Sequence, residues 1–191
     1  MRTDDDGMRV ELELVGEGPG SLRLRYRTGN PWGRELYLVN RLFATDPTGA
    51  IALDPNRVYV TVKDGALHLA KMFVEVPDGM DVECPEVPFL TVLQPGEAFA
   101  EEFELPLPTR VVWPYEPFRS GVMREEATTC EQIDFALGYF LPRERAWVTE
   151  VEVAGQRLLA SEYGFLRQVH RLVVSRKLKR RCACVVTVRK T

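Results

Sequence analysis

Two histidines, four cysteines, a run of basic residues and a knot of aromatics are the side chains in this sequence best suited to chemistry or recognition. Cys182 and Cys184 stand two apart. On a strand that spacing points both thiols the same way, so they could share one soft cation, with His170 joining from a neighbouring strand. Val186 and Val188 continue the same face, however, and cysteine is among the most frequently buried residues. Packing is therefore the expectation, with no metal ligand and no cofactor assigned. Nucleophilic catalysis would have to use His68 or His170, and no G-x-S-x-G elbow is present to supply a serine. Both histidines fall in alternating segments that read as ordinary strands, so no catalytic residue is assigned. Gly16–Gly20 has the composition of a phosphate loop but contains Pro19 and leads into a strand pattern, which makes it a hairpin turn.

Two segments remain for partner binding. Arg176, Lys177, Lys179, Arg180 and Arg181 lie in a tail from Gly164 to Thr191 that holds nine basic and no acidic residues. The first 163 residues carry the other 16 basic side chains against all 28 acidic ones, so a +9 tail follows a −12 body. The expected role of the run is a solvated loop between strands whose charge is neutralised by the acidic body or a subunit contact. The alternative is a surface for an anionic partner. Nucleic acid is not expected, because Phe165 is the closest ring for base stacking. In the second segment Trp113, Tyr115 and Phe118 are spaced by prolines. They are expected either to cap the core or to form a rigid contact loop that loses little entropy on binding.

The elements that must position these groups have a period of two. Val10, Leu12 and Leu14 alternate with Glu11 and Glu13, and Leu22, Leu24 and Tyr26 alternate with Arg23, Arg25 and Arg27. Paired as a hairpin, the two runs set glutamates opposite arginines on the wet face. Glu35–Ala44 is apolar on both sides of the pleat, which suits a strand covered on both faces. Asp64-Gly65 is the strongest hairpin signal, predicting the pairs Val62–Leu67, Val60–Leu69 and Thr61–His68. Residues 77–96 form a Pro-rich connection with a short strand at Phe89–Leu93, followed by a strand over Glu97–Leu105. Residues 109–130 read as an irregular excursion. Further strands are expected at Ile133–Leu141, Trp147–Val153, Gln156–Ala160, Val169–Ser175 and Cys182–Arg189. With at most one short helix, this predicts one all-β domain over residues 1–191, an antiparallel two-sheet sandwich with long Pro-rich loops.

The SLRLRYR and ELYLVNRLF runs, the Pro95-Gly96-Glu97 turn and Ile133–Phe140 together resemble immunoglobulin-like and fibronectin-like sandwiches. Asp134, Gly138 and Tyr139 are similar to the tyrosine-corner region of immunoglobulin domains, although Phe140-Leu141 stands where a cysteine would follow. The resemblance is one of architecture and implies a non-catalytic binding or interaction module, self-associating or engaging another protein. A lesser likeness, in the same turn, to small bacterial intracellular proteinase inhibitors implies inhibition as an alternative. A metal or redox role at Cys182 and Cys184 is the third.

Composition sets the outer bounds. At 45% hydrophobic and 28% charged, the chain has the makings of a folded globule rather than a disordered one. No apolar run approaches the ~18 residues of a membrane span. The acidic start, MRTDDD, lacks the features of an export signal, so free thiols and a cytoplasmic setting are expected.

Overall fold

The computed structural model describes residues 7–115, 123–141 and 147–189. The first strands are β1 (Val10–Gly18), β2 (Ser21–Gly29), β3 (Leu36–Arg41), β4 (Phe43–Thr45) and β5 (Ile51–Leu53). Next come β6 (Tyr59–Lys63), β7 (Ala66–Lys71), β8 (Phe89–Leu93), β9 (Ala98–Pro106) and β10 (Thr109–Arg110). The long β11 (Met123–Phe140) precedes β12 (Val148–Val153), β13 (Gln156–Ser161), helix α1 (Tyr163–Val169), β14 (Arg171–Val174) and β15 (Leu178–Arg189). Among the described residues these strands form a three-stranded sheet, β1-β2-β9, a ten-stranded sheet, and the small β4-β5 ribbon.

The smaller sheet follows from its alternation. Glu11 pairs with Arg27, Leu12 with Tyr26 and Glu13 with Arg25, and β9 continues the pattern by setting Glu102 opposite Arg25 and Glu104 opposite Arg23. Glu13 lies 3.1 Å from Arg25 and 3.0 Å from Arg27, and Arg25 Nε donates to Glu102 at 2.9 Å. Such solvent-facing pairs are screened by water, so they set register more than stability. Stability comes from the other face, where Leu22, Leu24, Tyr26, Phe103 and Leu105 are buried.

The ten-stranded sheet is organised by β11, which pairs with β15 and then β14 along one side and with β7 and then β3 along the other. Its Ile133, Phe135, Leu137 and Tyr139 meet the smaller sheet, with Tyr26 and Phe135 stacked at 4.5 Å between ring centroids. The two sheets thus enclose the main core as a sandwich. The β6–β7 hairpin has the register the Asp64-Gly65 turn predicts, with positive φ at both turn residues (51° and 71°). β3 is covered on both faces, as its sequence requires: Leu36 and Leu38 enter the main core, while Tyr37 and Val39 pack with Leu166 of α1 behind the sheet.

Four expectations are corrected. The large sheet is mixed, because β7 runs parallel to β11 and β10 parallel to β15. Of the stretch 109–130, β10 takes Thr109–Arg110 and the first half of β11 takes 123–130, while 111–115 lie outside any strand apart from one bridge at Val112 and 116–122 are outside the described residues. Val169 closes a helix instead of opening a strand, since α1 precedes β14. Lys179, Arg180 and Arg181 lie on β15, and only Arg176 and Lys177 are in the connection before it.

Candidate functional site

Among the described residues β1 and β14 are both outermost strands, since β1 pairs with β2 alone and β14 with β11 alone. Their free edges face one groove of about 860 Å³, with Met8–Glu13 on one wall and Leu172, Val173, Val174 and Arg176 on the other. Val174 is 49% exposed there, high for a valine within a sheet. Toward the far end of β1, outside the groove, Glu17 makes an ion pair with Arg180 of β15. The groove therefore lies between unpaired backbone edges contributed by different sheets.

The basic run is divided by this arrangement. Arg180 holds Glu17, and Arg181 lies 3.5 Å from Glu131, so part of the tail neutralises the acidic body. Arg176, Lys177 and Lys179 are exposed, and none of them makes an ion pair among the described residues. Arg176 sits at the groove, whereas Lys179 lies opposite Gln132 across β11.

The aromatic segment turns inward. Trp113 is half-buried with its ring edge-on to Tyr59 at 5.7 Å, and Tyr115 is only 6% exposed. The Tyr115 hydroxyl accepts the backbone N–H of Glu86 at 2.8 Å, and the Glu86 carboxylate accepts from the Tyr59 hydroxyl at 2.7 Å and from Arg57 at 3.3 Å. This knot closes a small apolar cluster behind the large sheet with Leu42, Ala70, Met72 and Leu172. Trp113 and Tyr115 thus occupy capping positions, and Phe118 lies outside the described residues.

The histidines do not meet the thiols. His68 Nδ1 lies 2.8 Å from the Asp134 carboxylate on the face of the large sheet away from the main core, with Thr61 opposite in register. No hydroxyl or thiol among the described residues is hydrogen-bonded to His68, so the dyad has no nucleophile to activate. His170 follows α1 on that same rear side, packed edge-on against Phe73 and directly over Gly138. Its Nε2 is buried without a partner, and burial pushes the imidazole down to about 4.

Cys182 and Cys184 do point the same way, into the main core, where Cys130 joins them from β11. The Cys184 sulfur is 3.3 Å from that of Cys130 and 4.0 Å from that of Cys182. All three are buried, which raises the Cys130 thiol to about 12 and moves the other two upward as well. Among the described residues no group of three His, Cys, Asp or Glu is arranged to hold a metal ion.

One polar cluster escaped sequence reasoning. Lys71, 1% exposed, continues the inward face of Leu67 and Leu69 and crosses to the smaller sheet. Its ammonium donates to Glu101 at 2.5 Å and to the Pro55 carbonyl at 2.7 Å, and lies within 5.8 Å of the Tyr26 and Phe103 ring centres. Tyr26 donates to the same Glu101 oxygen at 2.9 Å and accepts from Asn40 at 3.0 Å. Burial lowers the Lys71 ammonium and raises the Tyr26 phenol, with Glu101 opposing the first shift and adding to the second. The signal was there in the period: the residue two beyond Leu69 must face the core.

No protein-family model, curated protein or solved structure matches this chain. The described residues include no helix long and apolar enough to cross a membrane.

Proposed function

We propose that the chain is a non-catalytic, cytoplasmic interaction module built on an immunoglobulin-like sandwich, and that it binds an extended segment of another protein in the groove between β1 and β14. The observation that carries this reading is the pair of unpaired strand edges facing one groove. An edge strand offers a row of free N–H and C=O groups, and a peptide laid along it gains main-chain hydrogen bonds without remodelling the host. The exposed side chain of Val174 on the facing wall gives such a segment something to pack against. The chemistry-bearing groups support the same reading by their placement: the thiols of Cys130, Cys182 and Cys184 and the Nε2 of His170 are buried, and His68 has no hydroxyl or thiol hydrogen-bonded to it among the described residues.

Selection of linear peptides displayed on phage, followed by amide NMR mapping on the isotopically labelled chain, tests this. Bound peptides are expected to perturb the amides of Val10–Leu14 and of Arg171–Val174. Failure to select any binder, or perturbations confined to other surfaces, would sink the reading.

A further inference from the structure

Charge on the outer face of the three-stranded sheet alternates strand by strand. β9 presents Glu102 and Glu104, β2 presents Arg23, Arg25 and Arg27, and β1 presents Glu11 and Glu13, in a register that sets each sign opposite the other. On the β1 side the series stops at an acidic strand with an open edge. Glu13 is already shared by two arginines, but Glu11 is exposed and makes no ion pair among the described residues.

The protection on this edge is acidic charge and a bulge near its end, and neither turns away a basic strand. From Val10 to Gly18 it has no lysine and no proline, and its one irregularity, between Leu14 and Gly16, leaves Val10–Leu14 regular. Two copies of β1 do not make good partners, because antiparallel pairing about Leu12 would set Glu11 against Glu13 of the second copy. A strand added here would alternate between the two faces. Side chains opposite Glu11 and Glu13 would be wet and basic, and those between them would pack beside Leu12 and the Val173–Val174 wall.

We infer that the free edge of β1 accepts an extended segment of a partner protein in which arginine or lysine alternates with apolar residues. This rests on the proposed function above and adds the chemistry of the occupant. The chain contains a segment of this pattern in β2, SLRLRYR, which satisfies β1 from its other side.

The test uses fluorescence anisotropy with a labelled peptide of sequence SLRLRYRT, a peptide with its three arginines replaced by glutamate, and an SLRLRYRT peptide N-methylated at alternate residues. The arginine peptide is expected to bind and the glutamate peptide to bind at least tenfold more weakly. N-methylation, which removes donors from the ladder, is expected to abolish binding. Glu11→Arg, at an exposed position where the fold is expected to persist, should weaken the arginine peptide about fivefold and strengthen the glutamate peptide. Equal binding of the two charge forms overturns the inference. So does binding of the arginine peptide that survives N-methylation, which would mean unspecific charge attraction. If neither designed peptide binds while phage-selected peptides perturb the β1 amides, the charge rule fails and the interaction reading stands. If the selected peptides fail too, both fall.

Discussion

A buried imidazole with no hydrogen-bond partner at Nε2 can be held only as the neutral form, and His170 is in that position over Gly138. The close approach explains the glycine, since a β-carbon there would lie 2.4 Å from His170 Nε2 and 2.9 Å from the backbone of Met72. With the folded imidazole near 4 and the unfolded one near its ordinary value of about 6.5, the unfolded chain holds the extra proton between those limits. Stability therefore falls as pH drops through that window and is fully recovered above it. Across the whole window His170 is expected to account for about 3 kcal/mol of the loss. Urea unfolding of the wild type and of His170→Leu at pH 7.5 and pH 4.5 measures it. The variant should lose markedly less stability on acidification, and equal losses would show that His170 is not the group responsible. The three core thiols tell a related story at this scale. Their alternation indicated packing, and packing is where they are, with Cys130 brought in by a pairing that residue types alone do not reveal.

The elements that were legible are those whose instructions are local. Asp64-Gly65 specifies its own turn, and the glutamates of β1 specify the arginines of β2 as neighbours. Ala154-Gly155 forms a second turn of the same kind, but here the alanine is held at a φ of 50° that only glycine takes up without strain. Ala154→Gly is expected to stabilise the protein by about 0.5–1 kcal/mol, after allowing for the greater freedom of glycine in the unfolded chain. That corresponds to a rise of roughly 1–3 °C in Tm by differential scanning calorimetry, and a fall in Tm would contradict the strain. Elements set by distant partners were harder to read. Helix α1 has seven residues, buries only Leu166 and has no side-chain cap hydrogen bond, so neither periodicity nor capping announces it. The parallel alignment of β7 with β11 joins segments far apart in the chain and leaves no local mark. The groove was hidden for the same reason, because β1 and β14 become neighbours only once both sheets exist. The charge pattern along β1 was nevertheless plain from the start.

At the scale of the whole molecule, Lys71 is a buried charged tie between the two sheets, carried by β7 on one side and met by Glu101 and Tyr26 on the other. A buried cation costs several kcal/mol in lost hydration, and its contacts here offset that cost only while all are present. Lys71→Met leaves the Glu101 carboxylate without its cation but partly in contact with water, so the expected loss is about 2–3 kcal/mol by urea denaturation. Adding Glu101→Gln should recover part of it. A double variant that loses the sum of the single effects would argue against the coupling. The basic tail also acts at this scale: Arg180 and Arg181 reach back to Glu17 and Glu131, so sequence-distant charges meet across the fold. The central place of β11 has one more consequence, for the order of synthesis. β3, β6 and β7 leave the ribosome well before the strand they assemble on, and until Phe140 has emerged the edges of β3 and β7 that pair with β11 stay open. A nascent chain stalled before that point presents the open edge of β7 to chaperone or protease, and the time taken to translate from Lys71 to Phe140 sets how long that edge waits.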